Sequence, residues 1–399
     1  MVMQGLPCDL AKQALHSSSL FSEEGTMVML DQFSTPVRGA STLPGNYYTA
    51  EDVFQREVER IFYERWLCVG REEQIPNPGD YFVQGVGRES LIIVRGQDGQ
   101  VRAFYNVCRH RGTRMCTTAS GHFPQSIQCP YHAWTYGLDG RLIGAPHMNE
   151  VEGFDKGQYP LYTAAMATWE GFLFVNLSRQ PEPFEQAFAP LIGKFSQWQI
   201  AKLRSARRIE YDVAANWKLL VENYSECYHC PLIHPALAAL SPYRSGQNDL
   251  YEGPYLGGFM DINHEAGSLT MDGRTCALPL GQVSGEDLSR VYYYSLFPNM
   301  LLSLHPDYVM FHLLWPQSAG RTLISCEWLF DPTAMAQPGF DSSGAVEFWD
   351  MTNRQDWHVC ELSQLGLTSR AYTPGPYSAA ESLPAAFDRE VLRALGQVD

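Results

Sequence analysis

Charge is what this 399-residue chain has least of: 18% of its residues are charged, and 29 Lys plus Arg face 44 Asp plus Glu, a formal net of −15. A surface of that sign does not attract phosphate, which excludes bulk nucleic-acid binding. No run reaches the ~18 consecutive apolar residues of a membrane span. The first thirty residues lack a basic start followed by an apolar core, so no secretory leader is legible. No strand is followed by Gly-x-Gly-x-x-Gly, so no flavin or nicotinamide site is expected within the chain. The expectation is a cytoplasmic protein without nucleic-acid or membrane partners. What is present is apolar: 45% of residues are hydrophobic and 13% aromatic. That suffices for two to three domains with a core that needs no disulfide framework. The ten cysteines then read as buried thiols or metal ligands.

The pattern changes along the chain. Residues 1–45 have little periodicity and read as an N-terminal arm. Thr49–Trp66 returns apolar residues at helical intervals. From Tyr81 to Tyr105 and from Ile127 to Ile143 the runs are short and strand-like, with a hairpin signal at Leu138-Asp139-Gly140-Arg141. Met166–Leu177 is a further strand. Beyond residue 200, helices are expected over Trp217–His229 and Val346–Leu365, with strands at Tyr292–Leu304, Tyr308–Trp315 and Arg321–Phe330. The fold class is α+β: an all-β module over 62–165, and a second domain of antiparallel sheet and helices over 46–61 and 166–399.

Two clusters carry chemistry. In the first, Cys108-Arg109-His110 and Cys129-Pro130-Tyr131-His132 each mix a thiolate with an imidazole. Zinc fingers instead separate a Cys pair from a His pair, whereas two thiolates and two imidazoles suit a [2Fe–2S] cluster with one raised-potential iron. Gly112 and Pro130 shape the two loops, and Trp134 and Tyr136 can shield them. The stretch CRHRGTR…CPYHAWTYGLDG resembles the Rieske modules of ring-hydroxylating and related oxygenases, which implies Cys108, His110, Cys129 and His132 as cluster ligands. Rieske proteins of respiratory complexes carry a second cysteine in each loop; position 131 is Tyr here, and Cys116 is expected as a free thiol.

In the second cluster, His229 and His234 need one carboxylate to form the three-ligand face of a non-haem Fe(II) site. Read as one helix, Trp217–His229 sets Glu222, Glu226, His229 and Cys230 on one face, where unpaired acids are costly. Asp356, on a helical stripe with Trp349, Asn353 and Cys360, offers another inward acid, with Glu347, Asp350 and Glu361 as rivals. The stretches NWKLLVENYSECYHCPLIHP and NRQDWHVCE resemble the catalytic domain of Rieske oxygenase α-subunits, a helix-grip-like fold. The resemblance implies His229, His234 and Asp356 as ligands of the mononuclear iron, O₂ as cosubstrate, and Glu226 as the acid bridging it to a Rieske histidine. Asn223 is a further candidate catalytic residue. Cys227 and Cys230 are expected as packing thiols. The resemblance also implies a homotrimer in which the route His132–Glu226–His229 crosses between subunits, and a separate reductase or ferredoxin as electron donor. Arg109, Arg111, Arg114 and Arg141 could dock that donor.

Glu rather than Asp at 226, and the stretch RQDWHVCELSQLGLTSRAYTPGPYSAAE, resemble the subgroup acting on choline, glycine betaine and carnitine. A methylammonium substrate would be held by aromatic faces, and Tyr293, Phe297, Phe311, Trp315 and Trp328 are the candidates. The expected function is a terminal oxygenase that hydroxylates such a compound. Ring-hydroxylating dioxygenase or O-demethylase chemistry is the alternative, and a Rieske electron carrier the non-enzyme one.

Overall fold

In the computed structural model of the protein, residues 40–263 and 267–398 are described; the arm expected over 1–45 lies outside them except for its end. Among these residues the strands form two seven-stranded sheets and one three-stranded sheet, all antiparallel. In the N-terminal half the strands are β1 (Leu67–Arg71), β2 (Asp80–Val86), β3 (Glu89–Arg95), β4 (Val101–Tyr105), β5 (Ser120–His122), β6 (Ser126–Gln128), β7 (Thr135–Gly137), β8 (Leu142–Gly144), β9 (Thr163–Trp169) and β10 (Phe172–Asn176). The first sheet runs β1-β10-β9-β4-β3-β2-β5, and β6-β7-β8 form the small one. The hairpin expected at 138–141 joins β7 to β8, with Gly140 at φ +84°, a conformation that favours glycine. The hairpin β9–β10 pairs with β4 and β1. It therefore belongs to the first sheet, not to the second domain as the expected boundary at residue 166 had it.

The second sheet runs β11-β17-β16-β15-β14-β13-β12, from β11 (Arg204–Val213), β12 (Gln247–Leu250), β13 (Tyr255–Asp261), β14 (Arg290–Leu296), β15 (Met300–Leu304), β16 (Val309–Ser318) and β17 (Arg321–Phe330). Strand side chains alternate between faces, and here each face has its own core. Leu302, Phe311 and Leu329 pack with Phe172, Phe174 and Phe188 towards the first sheet. Leu301, Met310, Cys326 and Trp328 pack with Trp217, Phe348, Trp357 and Phe387 of the helices. Asn299 links the two sheets by exchanging both amide hydrogen bonds with the backbone of Cys68. This is the α+β architecture read from the sequence.

Three helices cover the site-bearing face. The long one, Ser343–Leu367, starts three residues earlier than its apolar pattern suggests, because the Asp341 carboxylate accepts the Ser343 N–H and satisfies a donor of the first turn. The helix expected over Thr49–Trp66 is instead an α-helix over Glu51–Glu57 followed by a π-turn over Val58–Phe62. Its Glu57 is fully buried and bonded to Lys218 and Trp217 Nε1.

A pair of facing acids has a consequence for stability. Glu222 accepts from Tyr48 Oη, and Asp388 on the helix Ser382–Ala394 accepts from Tyr377 Oη, each at 2.8 Å. The two carboxyls face one another, and Asp388 Oδ1 has no donor unless Glu222 carries a proton. Burial pushes the Asp388 pKa up to about 6 and the Glu222 pKa well above its usual range. The folded chain thus holds a proton that the unfolded chain, with carboxyls near pH 4, releases. Stability from this pair is full below pH ~4 and falls as pH rises through ~6 and beyond. Glu222→Gln, whose amide can donate to Asp388, is expected to flatten that fall and raise the melting temperature at pH 8 by on the order of 2 °C. Melting curves at pH 5 and 8 check it; a larger pH dependence in the variant contradicts it.

Candidate metal centres and substrate cavity

The first centre sits on two matched loops. Each turns back four residues beyond its cysteine: Gly112 N–H bonds Cys108 C=O and Ala133 N–H bonds Cys129 C=O. Both turning residues have positive φ, +71° and +56°; Gly112 was legible in sequence as a turn, whereas Ala133 was not. Cys108 and Cys129 are buried, while His110 is exposed and stacks on Trp134 with ring centroids 4.8 Å apart. The two imidazoles lie 4.7 Å apart, centroid to centroid. Tyr136 Oη contacts Cys108 Sγ at 3.4 Å and accepts from Arg109 N–H. Two buried sulfurs on one side and two outward imidazoles on the other fit a cluster with one sulfur-held and one nitrogen-held iron. Cys116 is a free thiol.

The second centre corrects one reading of its helix. The helix ends at Tyr224, and Ser225 Oγ bonds back to the Val221 carbonyl at 2.6 Å. Glu226 lies beyond the helix, and its carboxylate accepts the N–H groups of Tyr228 and His229, as a cap does for a new turn. The expected shared helical face of Glu222, Glu226, His229 and Cys230 is therefore not formed. Cys227 and Cys230, expected as packing thiols, form a disulfide with Cα atoms 5.0 Å apart, because the turn folds their three-residue spacing back on itself.

That turn delivers His229 to the site, and His234 follows a single helical turn over Cys230–Ile233. His229, His234 and Asp356 offer one donor atom each within 4.8 Å of one another. His234 Nε2 lies 2.7 Å and His229 Nε2 3.3 Å from Asp356 Oδ1. The other ring nitrogens are tied back: His229 Nδ1 to Glu226 Oε1 at 2.5 Å, His234 Nδ1 to Gln355 Oε1 at 2.7 Å. Such ties orient metal-binding imidazoles. Burial disfavours a proton on His229, but hydrogen bonds to Asp356 and Glu226 outweigh it and raise its pKa to about 10. Asp356 is held below the usual carboxylate range against its own burial by both histidines. Two nitrogens and a carboxylate converging from one side fit the facial set of a non-haem Fe(II) ion. The rival acids are engaged or exposed: Asp350 bonds Tyr211 and Arg354, Glu361 accepts from Ala214 N–H, and Glu347 is exposed.

A cavity of about 160 Å³ opens onto these three residues, with Asn223 and Glu226 in its wall. Of the aromatic candidates only Tyr293 lines it. Phe311 is on the opposite sheet face, 4.9 Å from Phe172, because β16 turns Met310 and His312 inward and Phe311 outward. Phe297 packs on Trp217 and Phe387, Trp328 is sealed in the core, and Trp315 lines a groove with Phe54 and Gly87 instead. Sequence reading missed Tyr243, Phe259, His312, Trp349 and Trp357 in the wall. His312 left a signal, a lone imidazole inside the apolar run VMFHLLW. Among the described residues no Lys or Arg lines the cavity, and no helix is long and apolar enough to cross a membrane.

A Rieske loop pair, one loop on the first sheet and one on the small sheet, and a two-histidine, one-carboxylate site beside the second seven-stranded sheet define an iron-dependent oxygenase subunit. Residues 65–155 match the family model of the Rieske [2Fe–2S] domain, and residues 200–397 that of the ring-hydroxylating alpha subunit catalytic domain. The chain belongs to this family of Rieske oxygenases: an oxidoreductase that uses a [2Fe–2S] cluster, non-haem iron and O₂. It is 32% identical over 373 residues to the glycine betaine monooxygenase oxygenase subunit of Pseudomonas aeruginosa, covering 84% of this chain and 85% of that one. It is 39% identical over 201 residues to the carnitine monooxygenase oxygenase subunit of Acinetobacter baumannii, covering 50% and 54%. The crystal structure of the quaternary ammonium Rieske monooxygenase CntA in complex with L-carnitine superposes with a TM-score of 0.71 at 28% identity, over 89% of this chain and 95% of that one.

Proposed function

We propose that this chain is the terminal oxygenase of a multi-protein system that hydroxylates a quaternary ammonium compound, at an N-methyl carbon that then leaves as formaldehyde or at an alcohol carbon. The observation that carries this reading is the cavity. Its wall includes the aromatic side chains of Tyr243, Phe259, Tyr293, Trp349 and Trp357, around a space whose ionisable neighbours include the acids Glu226 and Asp356 and no Lys or Arg among the described residues. An aromatic face is worth ~0.5–2 kcal/mol to a desolvated cation, and a carboxylate-bearing aromatic acid has no cationic partner there. The names of the relatives support the same class.

In this reading His229, His234 and Asp356 hold the iron, and Glu226 and Gln355 fix the two imidazoles. Cys108, His110, Cys129 and His132 hold the cluster. When bound, the cluster stores single electrons and the iron binds O₂. Glu226 joins the two centres, and the partner centre comes from a neighbouring subunit of a ring-shaped homotrimer. Exposed apolar residues at both ends of that route support the ring: Tyr131 beside His132, and Tyr228 and Leu232 beside His229, at 55%, 60% and 85% exposure. The test of function is oxygen uptake with a generic reductase across choline, betaines, carnitine and aromatic acids, scoring formaldehyde. Stimulation by the ammonium compounds is expected; stimulation by aromatic acids alone replaces the reading with ring or O-methyl oxidation.

The electron donor is proposed to be a separate reductase or ferredoxin, met in the cytoplasm where reduced nicotinamide is made. Arg109 is occupied within its own loops, bonded to Pro160 C=O and lying 4.0 Å over the Tyr162 ring, and Arg141 pairs with Asp139. Arg111 and Arg114 are exposed beside the cluster histidines and remain the docking candidates. Reversing both charges is expected to slow cluster reduction about tenfold at low salt, with the cluster's absorption unchanged. Stopped-flow reduction that stays at the parent rate removes them from the interface.

A further inference from the structure

Three residues that line the cavity, His312, Tyr293 and Trp357, each carry a buried polar atom without a partner, and the polarity of the His312 atom can be read from the surrounding hydrogen bonds. Arg354 can only donate, and its Nε donates to Asp350 Oδ2. Asp350 Oδ1 accepts from Tyr211 Oη at 2.8 Å, so the Tyr211 oxygen has its lone pairs free. It receives Asn353 Nδ2 at 3.3 Å, which orients that amide and turns its Oδ1 towards His312 Nε2 at 3.2 Å. An amide oxygen only accepts, so Nε2 carries the His312 proton. Burial pushes the His312 pKa down to about 4, so the ring holds one proton and no more at neutral pH. Its Nδ1 is therefore a bare acceptor, buried and without a partner. Tyr293 Oη and Trp357 Nε1, in the same wall, are buried donors that also lack partners. The rings adjoin: His312 lies 6.0 Å from Trp357 and 6.3 Å from Tyr224, and Tyr224 lies 6.0 Å from Tyr293, between centroids.

We propose that His312, with Tyr293 and Trp357, reads a neutral hydroxyl on the substrate, so that the preferred ligand is an ammonium compound ending in an alcohol and not in a carboxylate. A hydroxyl donates once and accepts twice, the complement of one bare acceptor and two donors. A carboxylate only accepts; it would set its own lone pairs against Nδ1, with no Lys or Arg of the described wall to offset them. An unpaired buried acceptor is costly, and sites built to pair a hydroxyl discriminate sharply against analogues without one. This inference rests on the ammonium reading above for the other end of the ligand.

The test is calorimetric binding to the anaerobic, iron-loaded enzyme, where no turnover occurs. Four ligands separate the two ends: choline, ethyltrimethylammonium (no hydroxyl), glycine betaine (carboxylate in its place) and 3,3-dimethylbutan-1-ol (no charge). Choline is expected to bind at least tenfold tighter than ethyltrimethylammonium and than glycine betaine. Tyr293→Phe, which keeps the ring, and His312→Leu are each expected to reduce the first ratio to about two or less. Equal affinity for choline and ethyltrimethylammonium, tighter binding of glycine betaine, or an unchanged ratio in Tyr293→Phe overturns the proposal. Equal affinity for choline and the uncharged alcohol, with the hydroxyl ratio intact, instead overturns the ammonium reading and leaves the hydroxyl site standing.

Discussion

Asp356→Ala is expected to take one iron of three from each chain and to abolish hydroxylation, by about a thousandfold or more, while the visible spectrum of the Rieske cluster stays as it was. The argument is one of coordination. His229 and His234 present their Nε2 atoms to a single carboxylate, and the two imidazoles alone leave a divalent iron without its anionic ligand. Even second-sphere hydrogen bonds are worth 10–100-fold in metal affinity, so loss of a direct ligand exceeds that. The cluster is held on other loops, one between β4 and β5 of the first sheet and one between β6 and β7 of the small sheet, and has no reason to respond. Two comparisons make the result specific. Gln355→Ala frees only the tie on His234 Nδ1 and is expected to weaken iron retention by about 10–100-fold without preventing loading at high iron. Asp350→Asn changes an acid on the same helix that serves Tyr211 and Arg354, and should keep all three irons. Iron analysis against protein, with the cluster absorbance as internal reference, reads all three variants. Full iron in Asp356→Ala moves the third ligand elsewhere.

The convergence of His229, His234 and Asp356 was legible in the sequence for a physical reason: a metal site calls for its ligands at short, chemically odd spacings. Cys108–His110, Cys129–His132 and His229–His234 stand out because imidazoles and thiols at such intervals serve little else, and Asp356 stood out as an acid on an apolar helical stripe. The substrate wall was much less legible. Which aromatics face the cavity depends on strand parity: β14 presents Tyr293 and not Tyr292, β16 presents His312 and not Phe311, and a shift of one residue exchanges the faces. Parity relative to a cavity is fixed by the packing of two sheets and three helices, not by any local run. The helix through Glu226 failed differently. Its apolar period continues past Tyr224, but a carboxylate that can cap a backbone turn two and three residues on competes with the helix, and here it wins. The boundary at 166 fell inside the β9–β10 hairpin because β10 completes a sheet begun a hundred residues earlier, a long-range pairing with no local signature.

Glu226→Gln is expected to leave three irons per chain and a normally reducible cluster, yet to slow the passage of electrons from cluster to catalytic iron by about a hundredfold or more. The substitution is chosen for what it preserves. Glutamine keeps one oxygen, which can hold the cap on the Tyr228 and His229 N–H groups that Oε2 makes now; the tie to His229 Nδ1, now held by Oε1 at 2.5 Å, is given up, so the turn should survive and the variant is read at saturating iron. What it removes is the negative charge, and with it the second strong acceptor that a carboxylate offers to a histidine arriving from the cluster side. The carboxylate is only partly buried, with 13% of its side chain exposed, beside the exposed Tyr228 and Leu232. Two roles compete for this residue, capping a turn and joining two centres, and the variant separates them because an amide oxygen caps as a carboxylate does. A single-turnover experiment on pre-reduced enzyme mixed with O₂ and substrate follows cluster reoxidation directly. Reoxidation at the parent rate assigns Glu226 to the turn alone. Slow reoxidation with full iron assigns it to the route between the centres, and product formed per cluster oxidised should fall with it.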